Sequence, residues 1–151
     1  MTGSDLAENA ISAFIFAGAA LGVPLDRTEL TQKYIAVDGK FGVPEILRAA
    51  KVAALKARHV TVARARLSRT PMPALAILND GRIWVVGLVS DDKVLIQDPE
   101  APRPAHLSRE EFEALWSGQM ILLARRATAQ GTAPTFDLRW FLTAVHRYRK
   151  G

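Results

Sequence analysis

The residue types that do chemistry are sparse in this chain of 151 residues. There are no cysteines, and the three histidines, His59, His106 and His146, lie far apart in the sequence. The lack of cysteine excludes a disulfide, a thiolate metal site and a thiol nucleophile within the chain. Since it also contains no HExxH, G-x-S-x-G or phosphate-binding glycine loop, no motif for independent catalysis is present.

Two polar residues stand in places where chemistry is possible. Asp5 and Glu8 form a D-x-x-E capping pattern that predicts a helix start at Asp5 and places Asn9 in the first turn. The N–H groups of a first turn favour anions and activated nucleophiles. Asp98 ends an apolar stretch and precedes Pro99, which is also what an ordinary turn aspartate does.

The elements that must position these residues are predicted to be helices first and strands later. Helical spacing predicts helices over 5–21, 28–36 and 44–56, and a further helix from Ser108 to Gly118. Strands are predicted over 59–62, 75–78, 82–89, 93–97 and 120–124, with a hairpin turn at 79–81. This order predicts an α+β fold with N-terminal helices packed on an antiparallel sheet.

The net charge of +5 is concentrated at the C-terminal end. From Arg125 onward there are six basic residues and one acid, whereas residues 1–124 hold 14 of each. This balance argues against a nucleic-acid-binding body. Residues 136–151 combine an aromatic-apolar stripe with a basic one, which is typical of a helix at a membrane surface, the alternative being a helix that packs back on the domain.

Several stretches, in order along nearly the whole chain, resemble the N-terminal domain of haemolysin-type ABC exporters of bacterial type I secretion systems. They are DG at 38–39, PEILRAAK at 44–51, LK at 55–56, MPALAI at 72–77, DGR at 80–82, LIQDP at 95–99, FEALWSG at 112–118 and FDLRWF at 136–141. The Phe-Asp-x-x-Trp-Phe motif with its Tyr-Arg-Lys tail is the most specific part. The resemblance implies a domain of a longer exporter, with a peptidase-like domain (1–126), a linker (127–135) and a basic amphipathic segment (136–151) leading towards the membrane domain.

The resemblance also implies a papain-like cysteine peptidase fold with a lost active site. Its active relatives, family thirty-nine of the cysteine peptidases, cleave double-glycine leader peptides with a Cys-His-Asp triad. Those three positions correspond here to Asn9, Ile83 and Asp98, and the oxyanion glutamine falls near Gly3, where the chain has no glutamine. Because asparagine offers no useful nucleophile and isoleucine cannot accept a proton, we expect a degenerate domain without peptidase activity.

Such degenerate domains, as the resemblance implies, bind the unfolded passenger protein, an RTX toxin or a large adhesin, at the cytoplasmic face of the bacterial inner membrane. Candidate anchors for an extended passenger are Phe14, Trp84, Val85 and Tyr34. Strand alternation turns Trp84 away from the face that carries Ile83, which favours a core position for it.

The expected partners are the passenger, the membrane and ATPase domains of a dimeric exporter, and the membrane surface through residues 136–151, with no nucleic acid. No cofactor or metal is expected in this domain, since ATP and Mg belong to the nucleotide-binding domain of the full-length exporter.

Two alternatives remain open from the sequence. The domain could be an active peptidase that cleaves a leader peptide, or a hydrolase using Asp98 with His59 or His106, provided that the fold brings them within hydrogen-bond reach. It could also be purely structural, stabilising the exporter dimer or contacting the ATPase domain.

Overall fold

A computed structural model describes residues 3–126 of the chain. The predicted linker (127–135) and amphipathic segment (136–151) lie outside the described residues, so the division of the chain into these parts stays a prediction. Within residues 3–126, no helix is both long enough and apolar enough to cross a membrane.

Helices make up the first part of the domain. They are α1 (Gly3–Ala20), α2 (Arg27–Leu30), a π-helical turn (Thr31–Ile35), α3 (Ala36–Asp38) and α4 (Val43–Val52). The prediction that Asp5 caps α1 is wrong, because α1 already includes Gly3 and Ser4, and Asp5 lies in its first turn. Asp26 is the cap of α2, where its side chain accepts from the N–H groups of Thr28 and Glu29.

A single antiparallel sheet of six strands follows. The strands are β1 (Leu55–Thr61), β2 (Ala74–Leu78), β3 (Ile83–Val89), β4 (Lys93–Gln97), β5 (Ala105–Ser108) and β6 (Trp116–Arg125), with a 3-10 helix (Arg64–Arg69) before β2 and helix α5 (Arg109–Leu115) before β6. Their order across the sheet is β1-β6-β2-β3-β4-β5.

Sheet pairing overrides the helical pattern at two places. The third helix was expected to reach 56 but ends at Val52, because Leu55 starts β1 opposite Arg125 of β6. Trp116 was expected in the last helix but begins β6, where it pairs with Leu78 of β2. Strand β5, which pairs with β4 along four residues, was not predicted.

Each face of the sheet carries its own hydrophobic core. The helix-side core packs α1 side chains such as Ile11 and Phe14 on Leu75, Ile83 and Val85 of the sheet. The opposite core packs Leu67 of the 3-10 helix and Phe112 of α5 on the other face, with Trp84 and Trp116 among them. Successive strand residues therefore contribute to opposite cores. The expected α+β arrangement of helices on an antiparallel sheet is confirmed.

Candidate functional site

Helix α1 lies against β3 through small side chains. Ala7, Ala10, Ala13 and Ala17 are buried at helical spacing and belong to the helix-side core. Because these side chains are short, the helix axis can approach the sheet closely, and Asn9 is carried to the edge of the contact with β3. Asn9 is only 2% exposed.

A hydrogen bond joins Asn9 to the first residue of β3. The Asn9 Oδ1 atom accepts from the backbone N–H of Ile83 at 2.8 Å, and the bond is buried. The structure thus brings together two of the three residues that the sequence singled out, although they are 74 positions apart.

The register of the sheet explains why Ile83 needs this partner. Leu78 N–H donates to Arg82 O across the β2–β3 pair, so in an antiparallel ladder the next residue, Ile83, turns its N–H away from β2 and towards β4. Strand β4 ends at Gln97, opposite Val85, and does not reach Ile83. Asn9 supplies the acceptor that the missing end of β4 would otherwise supply.

The other end of the Asn9 amide is buried without a partner. Within residues 3–126, no hydrogen bond satisfies the Asn9 Nδ2 atom. The reversed amide would set Nδ2 against the N–H of Ile83, two donors facing each other, so the oxygen belongs on the Ile83 side. Asn9 is therefore a buried structural contact between α1 and β3.

Asp98 takes part in a turn of its own. Its Oδ1 atom accepts from the N–H of Glu100 at 2.9 Å, an arrangement typical of a turn aspartate. In the part of the chain that the structure describes, no hydrogen bond or ion pair joins Asp98 to Asn9 or to a histidine. His59 is at the far edge of the sheet, where its Nε2 lies 2.7 Å from Gln119 Oε1, and His106 is exposed on β5.

Gln97 is a buried polar residue that was not predicted from the sequence. It is 3% exposed and lies opposite Val85, and its Nε2 donates to the backbone oxygens of Asp98 at 2.7 Å and Ala101 at 3.0 Å. Its Oε1 has no partner within residues 3–126. Its burial could have been predicted, since side chains alternate along a strand and Gln97 therefore lies on the same helix-side face as Leu95.

Three of the four candidate anchors belong to the helix-side core. Phe14 and Val85 have no exposed surface, and Tyr34 is 8% exposed. The ring centroid of Phe41 lies 6.1 Å from that of Phe14 and 5.5 Å from that of Tyr34. In this conformation these side chains pack among themselves rather than face solvent, so their role in passenger binding stays a prediction.

Trp84 lies on the opposite core, as strand alternation predicts. It is 7% exposed, and its ring centroid is 6.5 Å from that of Phe112. It faces away from Asn9 and Ile83, and a passenger role for it likewise stays a prediction.

An acidic groove lies at the other end of the sheet from β1. It has a volume of about 610 Å³ and is lined by residues 91–93 and 106–111, among them Asp91, Asp92, Glu110 and Glu111. Within residues 3–126, no group of three or more His, Asp or Glu side chains is arranged to hold a metal ion.

The turn that precedes Ile83 is held by Asp80. The backbone N–H of Arg82 donates to Asp80 Oδ1 at 3.0 Å, and this bond, with the nearby guanidinium at 2.8 Å from Oδ2, lowers the pKa of the Asp80 carboxyl below its usual value. Gly81 completes the turn with φ of 94°, a conformation that favours glycine.

A protein-family model matches most of the chain. The model of the peptidase C39 family matches residues 14–128, which is more than two thirds of the chain. The chain belongs to the peptidase C39 family. The match begins after Asn9, so the family model does not cover that residue.

The curated relatives of this C39 domain are exporters of haemolysin type. It is 34% identical over 144 residues to the alpha-hemolysin translocation ATP-binding protein HlyB of Escherichia coli O157:H7, covering 94% of this chain and 20% of that protein. It is 37% identical over 131 residues to the leukotoxin translocation ATP-binding protein LktB of Mannheimia haemolytica, covering 85% of this chain and 18% of that protein. The chain spans about a fifth of the length of these relatives, and the predicted resemblance is confirmed.

Solved structures share the fold. The peptidase C39-like domain of the toxin secretion ATP-binding protein from Vibrio parahaemolyticus matches with a TM-score of 0.62 at 17% identity, over 78% of this chain and 97% of that one. The peptidase domain of Streptococcus ComA, an ABC transporter involved in quorum sensing, matches with a TM-score of 0.67 at 16% identity, over 80% and 93%. The predicted papain-like C39 fold is confirmed.

Proposed function

We propose that this C39 domain has no peptidase activity and serves as a docking domain that holds an unfolded passenger protein for export by an ABC exporter of type I secretion. The observation that carries the first half is the buried hydrogen bond between Asn9 and Ile83. These two positions correspond, by the resemblance, to the nucleophile and the base of the active relatives.

The chemistry of the pair supports inactivity. An amide nitrogen or oxygen is not a useful nucleophile at neutral pH, and an isoleucine side chain cannot take up a proton. The Asn9 oxygen is committed to a backbone N–H, and both side chains are almost fully buried, so a scissile peptide bond has no access to them. Asp98, the third position, is engaged in its own turn.

The proposed docking function is supported by the relatives and structural neighbours of the domain. HlyB and LktB are named for the translocation of alpha-hemolysin and leukotoxin. A double-glycine protease from an AMS/PCAT transporter, which shares the fold with a TM-score of 0.57, has been solved in complex with its leader peptide. We infer that the same scaffold, once it has lost the reaction, retains peptide binding.

In this account the passenger is an RTX toxin or adhesin, and the domain works at the cytoplasmic face of the bacterial inner membrane. The domain belongs to a dimeric exporter that also contains membrane and ATPase domains. ATP binds with Mg in the ATPase (nucleotide-binding) domain. We expect residues 136–151 to lead towards the membrane.

Inactivity is tested with a labelled peptide that contains a double-glycine site. We expect no cleavage by the full chain under conditions in which the Streptococcus ComA peptidase domain cleaves its own substrate. Cleavage that is abolished by Asn9→Ala and retained by Ser12→Ala, a change on the same helix, would overturn the proposal. Spectrally confirmed folding of each variant separates lost chemistry from lost structure.

Docking is tested in the exporter. Deletion of residues 1–126 is expected to abolish secretion of the passenger while ATP hydrolysis by the assembled exporter persists. Loss of dimer assembly together with ATP hydrolysis would favour the purely structural alternative.

A further inference from the structure

The positive charge of the domain body is concentrated in one stretch of the chain. Residues 46–79 contain seven Arg and Lys side chains and no Asp or Glu. They are Arg48, Lys51, Lys56, Arg58, Arg64, Arg66 and Arg69. Since residues 1–124 as a whole carry no net charge, the rest of the body has a net negative charge.

Most of these cations are unpaired. Arg48 pairs with Glu45 at 3.0 Å and Arg64 with Glu113 at 3.7 Å. The other five, Lys51, Lys56, Arg58, Arg66 and Arg69, are exposed and form no ion pair within residues 3–126. They are available to an acidic partner.

The stretch includes a strand at the edge of the sheet. In the described part of the chain, β1 pairs with β6 on one side and with no strand on the other. The bonds Arg126 N–H to Ala54 O and Val62 N–H to Gly118 O fix the phase of the ladder. Because backbone groups alternate in an antiparallel pair, the even positions bond to β6, and Ala57, His59 and Thr61 turn their N–H and C=O groups to the open edge.

Four of the unpaired cations lie on β1 or on elements that pack on its two faces. Lys56 and Arg58 alternate with Ala57, which packs on the helix-side core, so they lie on the opposite face, and the 3-10 helix with Arg66 packs on that same face. On the helix side, α4 with Lys51 packs against β1. The edge therefore offers a row of backbone hydrogen-bond groups between two basic borders.

We propose that the open edge of β1 is the docking site for an extended, acidic segment of the passenger, which adds to the sheet as a seventh strand. Backbone pairing supplies affinity without sequence specificity, and the basic borders select acidic side chains. The inference rests on the proposed function, which it deepens by naming the surface and the chemistry of the segment.

Charge complementarity also decides against a second copy as the occupant. Lysine and arginine on an edge strand commonly prevent edge-to-edge association, and two β1 edges would bring like charges together. The same charges attract an acidic strand. An anionic lipid surface would pair with the cations but would leave the backbone N–H and C=O groups of Ala57, His59 and Thr61 without hydrogen-bond partners. An extended acidic peptide would supply both the ion pairs and the backbone hydrogen bonds.

The test uses the full chain and a fluorescein-labelled peptide of alternating glutamate and valine, with a peptide of alternating lysine and valine as its counterpart. Anisotropy is expected to show binding of the acidic peptide alone, weakened by salt. Arg58→Glu is expected to weaken binding by roughly tenfold, since it turns an attraction into a repulsion. Arg103→Glu, the same change at an exposed loop position that has no ion pair in residues 3–126, is expected to alter binding less than about twofold.

Amide hydrogen exchange tests the pairing itself. Binding is expected to slow exchange at Ala57, His59 and Thr61, and to leave the amides of Lys56 and Arg58, which already bond to β6, unchanged. His59→Pro is a second variant, because it removes an outward N–H that makes no bond to β6. It is expected to weaken peptide binding while the chain keeps its circular dichroism spectrum.

Three results would overturn the inference: equal binding of the two peptides, equal weakening by Arg58→Glu and Arg103→Glu, or binding without protection of the three amides. Binding to phosphatidylglycerol vesicles that depends on Arg58, with no peptide binding, would replace the peptide by a lipid surface. If unfolded passenger binds the native chain and Arg58→Glu equally well, this inference fails and the docking function stands. If unfolded passenger binds neither, the docking function itself fails.

Discussion

Replacing Asn9 with alanine is expected to destabilise the domain although Asn9 carries no chemistry. The change removes the acceptor of the Ile83 N–H, a 2.8 Å bond in a place where Asn9 and Ile83 are 2% and 3% exposed. A buried donor left without an acceptor costs about 1–3 kcal/mol. No other strand reaches this N–H, because β4 ends opposite Val85, so the loss is not repaired by the sheet.

Two smaller effects act in opposite directions. The lost side-chain atoms leave a cavity of roughly 30 Å³, worth about 0.7 kcal/mol at the cavity cost measured in other proteins. Removal of the unpartnered Nδ2 atom recovers part of a burial penalty, on the order of 1 kcal/mol. The net loss in the free energy of unfolding is therefore about 1–3 kcal/mol, or roughly 3–10 °C in melting temperature.

The assay is urea unfolding of the full chain followed by tryptophan fluorescence. Glu8→Ala is the matched control, because Glu8 is the neighbouring residue and forms an exposed ion pair with Arg27 at 3.1 Å. It is expected to cost less than about 0.5 kcal/mol. Hydrogen exchange of the Ile83 amide should accelerate in Asn9→Ala and not in Glu8→Ala. Equal stability of the two variants, with the Ile83 amide still protected, would refute the role given to Asn9.

Three further changes test the frame around the site. Gly18→Ala is expected to destabilise by about 1–3 kcal/mol despite the better helix propensity of alanine, because its Cβ would lie 2.9 Å from the backbone oxygen of Val23 as well as 2.6 Å from Leu25 Cδ1, and the backbone cannot turn aside as a side chain can. Thermal unfolding checks it, and a gain in stability would contradict it. Ser108→Ala should cost about 1 kcal/mol through loss of the α5 capping box, measured by urea unfolding, and an unchanged midpoint would count against that cap. Asp80→Asn should remove a small contribution, about 0.5 kcal/mol or less because the side chain is 55% exposed. Since its hydrogen bond from the Arg82 N–H lowers the pKa of Asp80 from 3.8, the native contribution is present at neutral pH and is lost as pH falls below 3.8, so the two proteins should differ at pH 7 and converge in acid; a constant difference would contradict this.

Periodicity predicted the elements of the fold better than their limits. The alternation in β3 predicted that Trp84 faces away from Ile83, and the Asn79–Gly81 turn predicted the hairpin. The end of α4 and the start of β6 were not predictable from propensity, because pairing with distant strands decides whether Leu55 and Trp116 are helical or extended.

The sequence predicted which residues form the candidate site, but it did not predict the contacts between them. Resemblance singled out Asn9 and Ile83, and the end of β4 at Gln97 was predicted, but the hydrogen bond between Asn9 and Ile83 follows from the register of β4 on β3, which no local pattern contains. The burial of Phe14 and Val85 follows from the close approach of α1 to the sheet, which depends on the small residues of α1 acting together with the other helices. The open edge of β1 became visible only with the strand order.

The measurement that tests the central claim most directly is a titration of the full chain with its passenger in two states. The passenger is held unfolded in calcium-free buffer in one arm and is folded with Ca²⁺ in the other, and binding is followed by calorimetry together with analysis of the passenger for cleavage. The account predicts binding of the unfolded form alone, with the passenger recovered intact. Preference for the folded form, binding to neither form, or cleavage at a double-glycine site would contradict it.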